Sequence, residues 1–241
     1  MAHPEIEKLS VDVHRRLKKA IPAPVVELDH DNPWQLLMAT ILAAQSTDKK
    51  INEISPALFA RFPTPEALAD ADVEEVETLV KQSGFYRNKA KAIMGASRAL
   101  VERHKSKVPK SIDALVKLPG VARKTANVVI GVSYGKATGI VVDTHVRRVS
   151  RKLELTLEED PAKIEKELMG LFPKRAWVKL GHRMVLHGRY VCQAKKPRCG
   201  HCPLNEVCGA ALTKPEVRSW NKRAAWEEQF VTSKGTVDVL P

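Results

Sequence analysis

The sequence has no apolar run of the ~18 residues that a membrane span requires. Residues 1–5 contain no apolar segment of the kind that a secretory signal carries, and an Arg-rich, acid-poor transit peptide is also missing. These absences exclude a membrane-spanning protein. They predict a soluble protein that stays in the cytoplasm, in association with the nucleoid if the source is bacterial.

Cysteine is scarce, because the 241 residues contain only four, all between Cys192 and Cys208. A secreted disulfide scaffold would spread its cysteines through a short chain. Four thiols within one loop of an otherwise cysteine-free chain instead indicate a metal or cluster site.

Acidic residues are outnumbered, with 28 Asp and Glu against 40 Lys and Arg, which leaves a formal charge of +12 and a pI near 9.6. Such an excess predicts a polyanionic partner, and nucleic acid is the first candidate. A basic surface that only keeps the protein soluble is the alternative. A membrane surface is disfavoured because no basic amphipathic helix is combined with exposed aromatic residues.

Hydrophobic periodicity predicts an all-α fold of about ten helices in one or two domains. Asp72 is placed to cap one helix and Gly84 to end it, while Asn32-Pro33 opens another. Two short strand-like runs lie at residues 138–142 and after Phe230. Residues 215–241 have little periodicity and predict a partly ordered tail. The other helices are expected from Asp160-Pro161 onwards and over residues 5–20, 48–60, 86–104, 122–134, 143–153 and 175–190.

A helix–turn–helix candidate surrounds residues 118–121, whose sequence is Leu-Pro-Gly-Val. Glycine permits a tight turn and a close approach to a ligand, and the next helix offers free N–H groups that bind phosphate. Lys124 lies in the first turn of that helix. A neutral lysine amine is a nucleophile that forms Schiff bases. An ordinary turn and a phosphate-contacting lysine are the alternatives.

These residues carry a family resemblance. The run over residues 118–129, followed by Asp143 and His145, resembles the endonuclease III family of DNA glycosylases. That family has a helix–hairpin–helix with a lysine on its second helix and an aspartate at the start of a later helix, which match Lys124 and Asp143. Ala122 stands where the family usually has glycine, and its N–H remains available if φ is negative there. Asp143 is also a good N-cap, and the two roles are compatible.

The cysteine loop has the spacing Cys192-x6-Cys199-x2-Cys202-x5-Cys208. Thiolates so spaced can hold one [4Fe–4S] cluster. Zinc is the alternative, but four-cysteine zinc sites more often use two C-x2-C pairs, and only one is present. The loop also resembles the family's cluster loop, which implies a [4Fe–4S] cofactor. Basic residues in the first segment of the loop predict phosphate contacts: Lys195, Lys196 and Arg198.

Two upstream segments resemble the family more weakly. Residues 42–48 match the segment in which a glutamine fills the gap left by a flipped nucleotide, which implies that role for Gln45. Residues 84–90 match the loop that supplies an apolar wedge, with Phe85 where leucine is more usual. An inserted apolar side chain helps to offset the cost of unstacking. The DNA contacts implied by the resemblance are therefore Gln45, Phe85, Leu118, Gly120, Ala122, Thr125, His145, Lys195, Lys196 and Arg198.

The resemblance covers about residues 26–210 and implies two α-helical lobes with the active site between them. Residues 26–137 would form a six-helix barrel that ends in the hairpin. Residues 1–25 and 138–212 would form the cluster lobe, and residues 213–241 a C-terminal tail. The implied protein is a monomer that acts on damaged double-stranded DNA, with no membrane partner.

The implied activity is that of a bifunctional DNA glycosylase and abasic-site lyase in base excision repair. Lys124 would attack C1′ of an oxidised pyrimidine nucleotide and form a Schiff base, and Asp143 would stabilise positive charge on the sugar and move a proton. Elimination would then cut the strand 3′ to the lesion.

Four other readings remain open. The adenine-mismatch branch has a catalytic glutamate five residues before its glutamine, where this sequence has Thr40, and it lacks the lysine. Monofunctional thymine-mismatch enzymes also replace that lysine. A catalytically silent DNA-binding protein with a structural cluster is a third possibility. A metal-dependent nuclease is disfavoured because no acidic cluster suits Mg2+.

Overall fold

The computed structural model describes residues 4–212 and the backbone of two short strands at residues 231–233 and 236–238. The predicted all-α class is confirmed over residues 4–212. The helices are α1 (Pro4–Ala20), α2 (Pro33–Leu42), α3 (Asp48–Arg61), α4 (Pro65–Ala69), α5 (Val73–Val80), α6 (Tyr86–His104), α7 (Ile112–Leu115), α8 (Arg123–Tyr134), α9 (Thr144–Lys152), α10 (Pro161–Leu171), α11 (Trp177–Tyr190) and α12 (Gly209–Leu212). Short 3-10 turns occupy Lys81–Ser83, Lys174–Ala176, Cys199–His201 and Asn205–Val207.

The chain divides into two compact units. The central unit is Val26–Thr138, and the terminal unit combines Met1–Val25 with Gly139–Pro241. Among the described residues, no helix is both long enough and apolar enough to cross a membrane.

The central unit buries the apolar faces of α2 and α6 together with residues of α3, α5 and α8. Trp34, at the start of α2, donates its indole N–H to Ser97 Oγ on α6 (3.1 Å), and both side chains are buried. This bond satisfies a buried polar pair within an otherwise apolar core. The largest fully buried side chains of this unit are Leu36, Leu37, Met38, Leu42, Ile51, Leu58, Leu68, Ile93, Leu100 and Leu115.

The terminal unit builds its core from α1, α9, α10 and α11. Gly188 lets α9 and α11 approach closely, because a Cβ there would lie 2.7 Å from His145 Cβ and 3.2 Å from Val149 Cγ2. Arg16 of α1 donates to the carbonyl oxygen of Pro203 (3.3 Å) and pairs with Glu206 (2.8 Å). The N-terminal helix is thereby joined to the cysteine loop.

The helix starts follow the capping residues expected from the sequence. Asn32 accepts a hydrogen bond from Gln35 N, and Asp72 accepts from the amides of Glu74 and Glu75. Asp160 caps α10 in the same way. These predictions are confirmed, since each cap satisfies backbone donors that the helix itself leaves open.

The prediction of a strand at residues 138–142 is wrong, because this segment has no regular secondary structure. Ile140 and Val142 are buried in the core of the terminal unit, so the apolar residues of this run serve packing without a strand partner. The strand-like run after Phe230 does form strands, β1 (Val231–Ser233) and β2 (Thr236–Asp238), which pair antiparallel. The rest of the predicted tail lies outside the described residues.

Candidate functional site

The hairpin between α7 and α8 is a tight turn. The amide of Val121 donates to the carbonyl oxygen of Leu118 (3.2 Å), and Gly120 between them has a φ of 73°. Proline followed by a residue with positive φ is typical of a type II turn. A Cβ on Gly120 would lie 2.8 Å from Ala92 Cβ and 3.2 Å from Ile41 Cγ2. Glycine is thus required here both by conformation and by contact with α2 and α6.

The helix that follows begins with an open N-terminus. Ala122 is the N-cap of α8, with a φ of −84°, and its side chain makes no capping bond. The N–H of Ala122 was expected to remain available if its φ is negative, and the observed φ is negative. Lys124 is exposed in the first turn of α8 and Thr125 is half-buried. The turn and the helix start together present backbone N–H groups and the positive end of a helix dipole on the surface of the central unit.

Leu118 lies differently from the other hairpin residues. It is 4% exposed and packs into the core of the central unit. Its side chain anchors the turn, so any contact of Leu118 with DNA would involve its backbone.

Gln45 and Phe85 share an unusual backbone conformation. Both residues have left-handed backbones, with φ of 55° and 50°, and both are exposed. Phe85 is 68% exposed, an uncommon environment for a large aromatic ring. Non-glycine residues rarely adopt positive φ, and such strain clusters at functional sites. The central unit thus presents in strained turns the two side chains expected to enter DNA.

Asp143 caps α9 in the terminal unit. Its Oδ1 accepts a hydrogen bond from the amide of Val146 (2.8 Å) and the residue is half-buried. Burial lowers the pKa of His145, while the nearby Asp143 carboxylate acts to raise it. Arg148 Nη2 lies 3.2 Å from His145 Nδ1. The carboxylate therefore has one oxygen engaged by the helix it caps, and it lies close enough to His145 to influence the pKa of that imidazole.

The four cysteines lie around one enclosed space in the terminal unit. The cavity has a volume of about 40 Å3, and its apolar walls include Val149, Leu153 and Leu204. Within the described part of the chain, no three His, Cys, Asp or Glu side chains are arranged to hold a single metal ion. The cavity is lined by all four sulfur-bearing residues: Cys192, Cys199, Cys202 and Cys208.

The buried cysteines of this loop would need a cationic group beside them in order to ionise at neutral pH. Burial raises the pKa of the Cys192, Cys202 and Cys208 thiols, and the neighbouring cysteines raise the pKa values of Cys192 and Cys202 further. Backbone N–H groups nevertheless point at the sulfurs, with Leu204 N 3.4 Å from Cys202 Sγ. Thiolates are the ligands of iron–sulfur clusters, and N–H groups aimed at them are typical of such sites. The residues present therefore fit a [4Fe–4S] cluster.

Two residues that contact the cysteine loop were given no role from the sequence: His187, which is buried, and Arg148, which is half-buried. His187 is 2% exposed, and its Nε2 lies 3.6 Å from Cys202 Sγ. Arg148 donates to the carbonyl oxygens of Cys192 (2.9 Å) and Gly188 (2.7 Å). His187 lies 15 residues from Cys202 and Arg148 lies 44 residues from Cys192, so no short sequence motif includes these contacts. The basic residues Lys195, Lys196 and Arg198 are exposed on the same loop.

The comparisons with known proteins agree with this geometry. Residues 38–174 match the sequence model described as "HhH-GPD superfamily base excision DNA repair protein". Residues 192–208 match the "Iron-sulfur binding domain of endonuclease III". The first match covers the hairpin, Lys124 and Asp143, and the second begins and ends on the outer two cysteines.

Curated relatives are similar over most of their length. The endonuclease III of Synechocystis sp. is 49% identical over 195 residues, which is 81% of this chain and 89% of that protein. The endonuclease III of Escherichia coli (strain K12) is 39% identical over 198 residues, 82% of this chain and 93% of that protein. A solved non-covalent endonuclease III–DNA complex aligns with a TM-score of 0.81 at 38% identity, covering 87% of this chain and 97% of that one.

The class is thus that of the helix–hairpin–helix proteins of base excision DNA repair. Within it, the chain belongs to the endonuclease III family, because the superfamily match, the cluster-domain match and the full-length relatives all agree. The resemblance carried by the sequence motifs is confirmed, as is the [4Fe–4S] cofactor.

Proposed function

We propose that this protein is a bifunctional DNA glycosylase and abasic-site lyase that removes oxidised pyrimidines from double-stranded DNA. The observation that carries the proposal is the exposed Lys124 in the first turn of α8, directly after the Pro119-Gly120 turn. A nucleophile at this place lies beside backbone N–H groups that can bind the phosphate of its target nucleotide. Family membership supports both activities.

The chemistry assigns Lys124 the nucleophilic step. Once deprotonated, its Nζ attacks C1′ of the flipped nucleotide, and the bond from C1′ to the base breaks, so that the base leaves with the electron pair and takes up a proton. The bond from C1′ to O4′ then breaks, O4′ takes up a proton, and the opened sugar is held as a Schiff base on Lys124. This imine acidifies the C2′ hydrogens, and loss of one of them breaks the bond from C3′ to its phosphate oxygen. Water then releases the lysine from the cleaved strand.

Asp143 has a supporting role in the same proposal. Its carboxylate stabilises positive charge that develops on the sugar, and it shuttles the proton that frees the lysine amine. The capping bond to Val146 N engages one carboxylate oxygen, Oδ1. That bond fixes the orientation of the carboxyl group relative to α9.

The remaining residues bind and open the duplex. Gln45 fills the gap left by the flipped nucleotide, and Phe85 is the apolar wedge. Gly120, Ala122 and Thr125, with the backbone of Leu118, contact phosphate, as do Lys195, Lys196, Arg198 and His145. The cysteines hold the [4Fe–4S] cluster, which stabilises the loop that carries the basic residues and supplies no reaction step.

DNA is the partner, as the solved endonuclease III–DNA complexes of the same fold support. We further propose that the protein acts as a monomer, in the cytoplasm beside the nucleoid. Analytical ultracentrifugation with and without a lesion duplex tests the first point. A single protein per duplex is expected, and a dimer on DNA would contradict it.

Borohydride trapping tests the mechanism. The protein is incubated with a duplex that carries one thymine glycol, sodium borohydride is added, and a covalent protein–DNA band is sought on a denaturing gel. Lys124→Gln should abolish the band. Lys117→Gln is the matched control, because it removes the same charge from an exposed position just before the turn.

The outcomes separate the alternatives. A band that is lost only in Lys124→Gln supports the Schiff base. Base release without a band would indicate a monofunctional enzyme that activates water, and would remove Lys124 from the chemistry. A protein that binds the duplex but neither releases base nor forms a band would be the silent DNA-binding protein, which would contradict the proposal.

A further inference from the structure

Lys89 is the one lysine that is buried among residues 4–211, the part of the chain whose side chains the structure describes. It lies in α6, four residues after Phe85, and is 6% exposed. Its Nζ donates a hydrogen bond of 2.6 Å to the carbonyl oxygen of Ser83. Burial lowers the pKa of Lys89. Burial of an ammonium group costs free energy unless a hydrogen-bond partner compensates for the lost contacts with water. The contact between Lys89 and Ser83 therefore needs an explanation.

The partner of Lys89 is a helix end. Helix α5 continues directly into the 3-10 turn Lys81–Ser83, so the carbonyl of Ser83 lies where a helix leaves its last carbonyls without intrahelical partners. Ser83 is 2% exposed, which keeps water from that carbonyl. The negative end of the helix dipole also favours a cation there. Lys89 therefore joins the end of one helix to the first turn of the next.

Only two residues connect these helices, and both have left-handed backbones. Gly84 has a φ of 70° and Phe85 a φ of 50°. A Cβ on Gly84 would meet nothing within 4 Å, so neighbouring atoms do not hold the link in place from that side. The Phe85 ring is 68% exposed and has little packing of its own. The conformation of this link is thus set by its two ends, which the Lys89–Ser83 bond holds together.

We propose that Lys89 is a positioning residue for strand opening: by binding the Ser83 carbonyl it fixes the Gly84-Phe85 link, so that Phe85 is presented ready to enter the duplex. The proposal rests on the proposed function, in which Phe85 is the wedge. Lys89 itself touches neither the lesion nor the sugar.

The proposal predicts which step depends on Lys89. A loose link must be ordered when it enters DNA, and this ordering cost reduces the population of the opened duplex. Lys124 and Asp143 do not depend on the link, so the chemistry at the sugar is unaffected. An abasic site has no base to unstack, and its cleavage should therefore depend less on Lys89 than base release does.

A double-mutant cycle isolates the effect. Lys89→Met keeps much of the length of the side chain and removes the charged donor, and it is made in the wild type and in Phe85→Ala. In the wild-type background, Lys89→Met should lower the single-turnover rate of thymine glycol release on the order of 10-fold. In the Phe85→Ala background, it should cause no further decrease of that rate. Abasic-site cleavage should change less. Lys89→Arg, which can still donate, should restore base release.

A matched control removes the same charge from the same helix. Lys91 is exposed two residues further along α6, and Lys91→Met should leave base release near the wild-type rate. Lys89→Gln is prepared in parallel, because glutamine keeps an N–H donor without the charge. This variant replaces Lys89→Met in the test if the methionine variant does not fold.

Hydrogen exchange provides a readout without DNA. In Lys89→Met, amides of residues 81–88 should exchange faster than in the wild type, and peptides elsewhere in the central unit should not change. Unchanged exchange at residues 81–88 would overturn the proposal. So would an equal loss of base release in the Phe85→Ala background, because that would mean a general loss of stability.

The two proposals can fail separately. If the wild type releases no base from any oxidised pyrimidine, the proposed function fails, while the exchange experiment still decides whether Lys89 fixes the link. If the wild type and Phe85→Ala differ as expected but Lys89→Met behaves as the wild type, only the role of Lys89 is lost.

Discussion

The carboxylate of Asp143 accepts a hydrogen bond from the backbone amide of Val146, and this 2.8 Å contact caps helix α9. The same carboxylate is the one assigned to the sugar in the proposed reaction. Asp143 thus has a role in folding and a role in chemistry, and the two can be separated because asparagine caps helices about as well as aspartate.

Asp143→Asn should keep the stability of the protein and lose its activity. The amide retains an oxygen for Val146 N but carries no charge for the sugar or the proton. Asp143→Ala should lose activity and also about 1 kcal/mol of unfolding free energy, because the cap is lost. Urea unfolding and single-turnover base release measure the two effects.

Asp160→Ala is the control for this pair. Asp160 caps α10 through Ala162 N and Lys163 N and has no part in the proposed reaction. The Asp160→Ala variant should lose a similar amount of unfolding free energy, and its rate of base release should stay unchanged. Full activity in Asp143→Asn would show that the charge of Asp143 is not needed.

Gly120→Ala should disrupt the hairpin more than a matched glycine substitution elsewhere. Gly120 and Gly135 both have positive φ, at 73° and 64°, so alanine is strained at both. A Cβ on Gly135 meets nothing within 4 Å, whereas on Gly120 it lies 2.8 Å from Ala92 Cβ. We expect a loss of about 1 kcal/mol for Gly135→Ala and about 2–4 kcal/mol for Gly120→Ala. Thermal unfolding measures both losses. If the two variants lost the same unfolding free energy, the contact with Ala92 would not contribute to the cost of Gly120→Ala.

The cluster prediction concerns colour and composition. The purified protein should be brown, with iron and acid-labile sulfide in equal amounts. Cys202→Ala should lose the visible absorbance and melt at a lower temperature, since Cys202 is the cysteine whose sulfur faces His187 and the Leu204 amide. A colourless wild type that contains one zinc would contradict the assignment.

The structural features that could be predicted from the sequence are those that depend only on neighbouring residues. Caps such as Asn32 and Asp160 act within one helical turn, and the Pro-Gly pair itself indicates the turn at Gly120, so all three were visible before the fold was known. The hairpin and cysteine spacings were likewise local, and they carried the family resemblance.

Other features depend on contacts between distant segments. Lys89 and Lys91 look alike in the sequence, and only the packing of α6 shows that one is buried and the other exposed. Arg148 reaches the carbonyl of Cys192, 44 residues away. The strand-like run at residues 138–142 predicted a strand, but a strand also needs a partner, which the sequence of the run alone does not supply.

Acid should destabilise the terminal unit through His182. Burial lowers the pKa of His182 to about 4 from an ordinary value of 6.5. The unfolded chain therefore binds more protons than the folded one between these two values. The contribution of His182 to stability is complete above pH 6.5 and decreases as the pH falls towards 4. At pH 5 this loss amounts to about 2 kcal/mol.

His182→Gln should flatten this dependence, because glutamine stays neutral at every pH. Urea unfolding at several values between pH 5 and pH 7.5, above the range in which acid would attack an iron–sulfur cluster, measures the slope. An unchanged dependence of the free energy on urea concentration confirms that the unfolded state is comparable in both proteins. Burial also lowers the pKa values of His14, His145 and His187, the last of them to about 4, so part of the slope should remain in the variant. If the variant lost stability towards pH 5 as steeply as the wild type, His182 would not be the group that titrates.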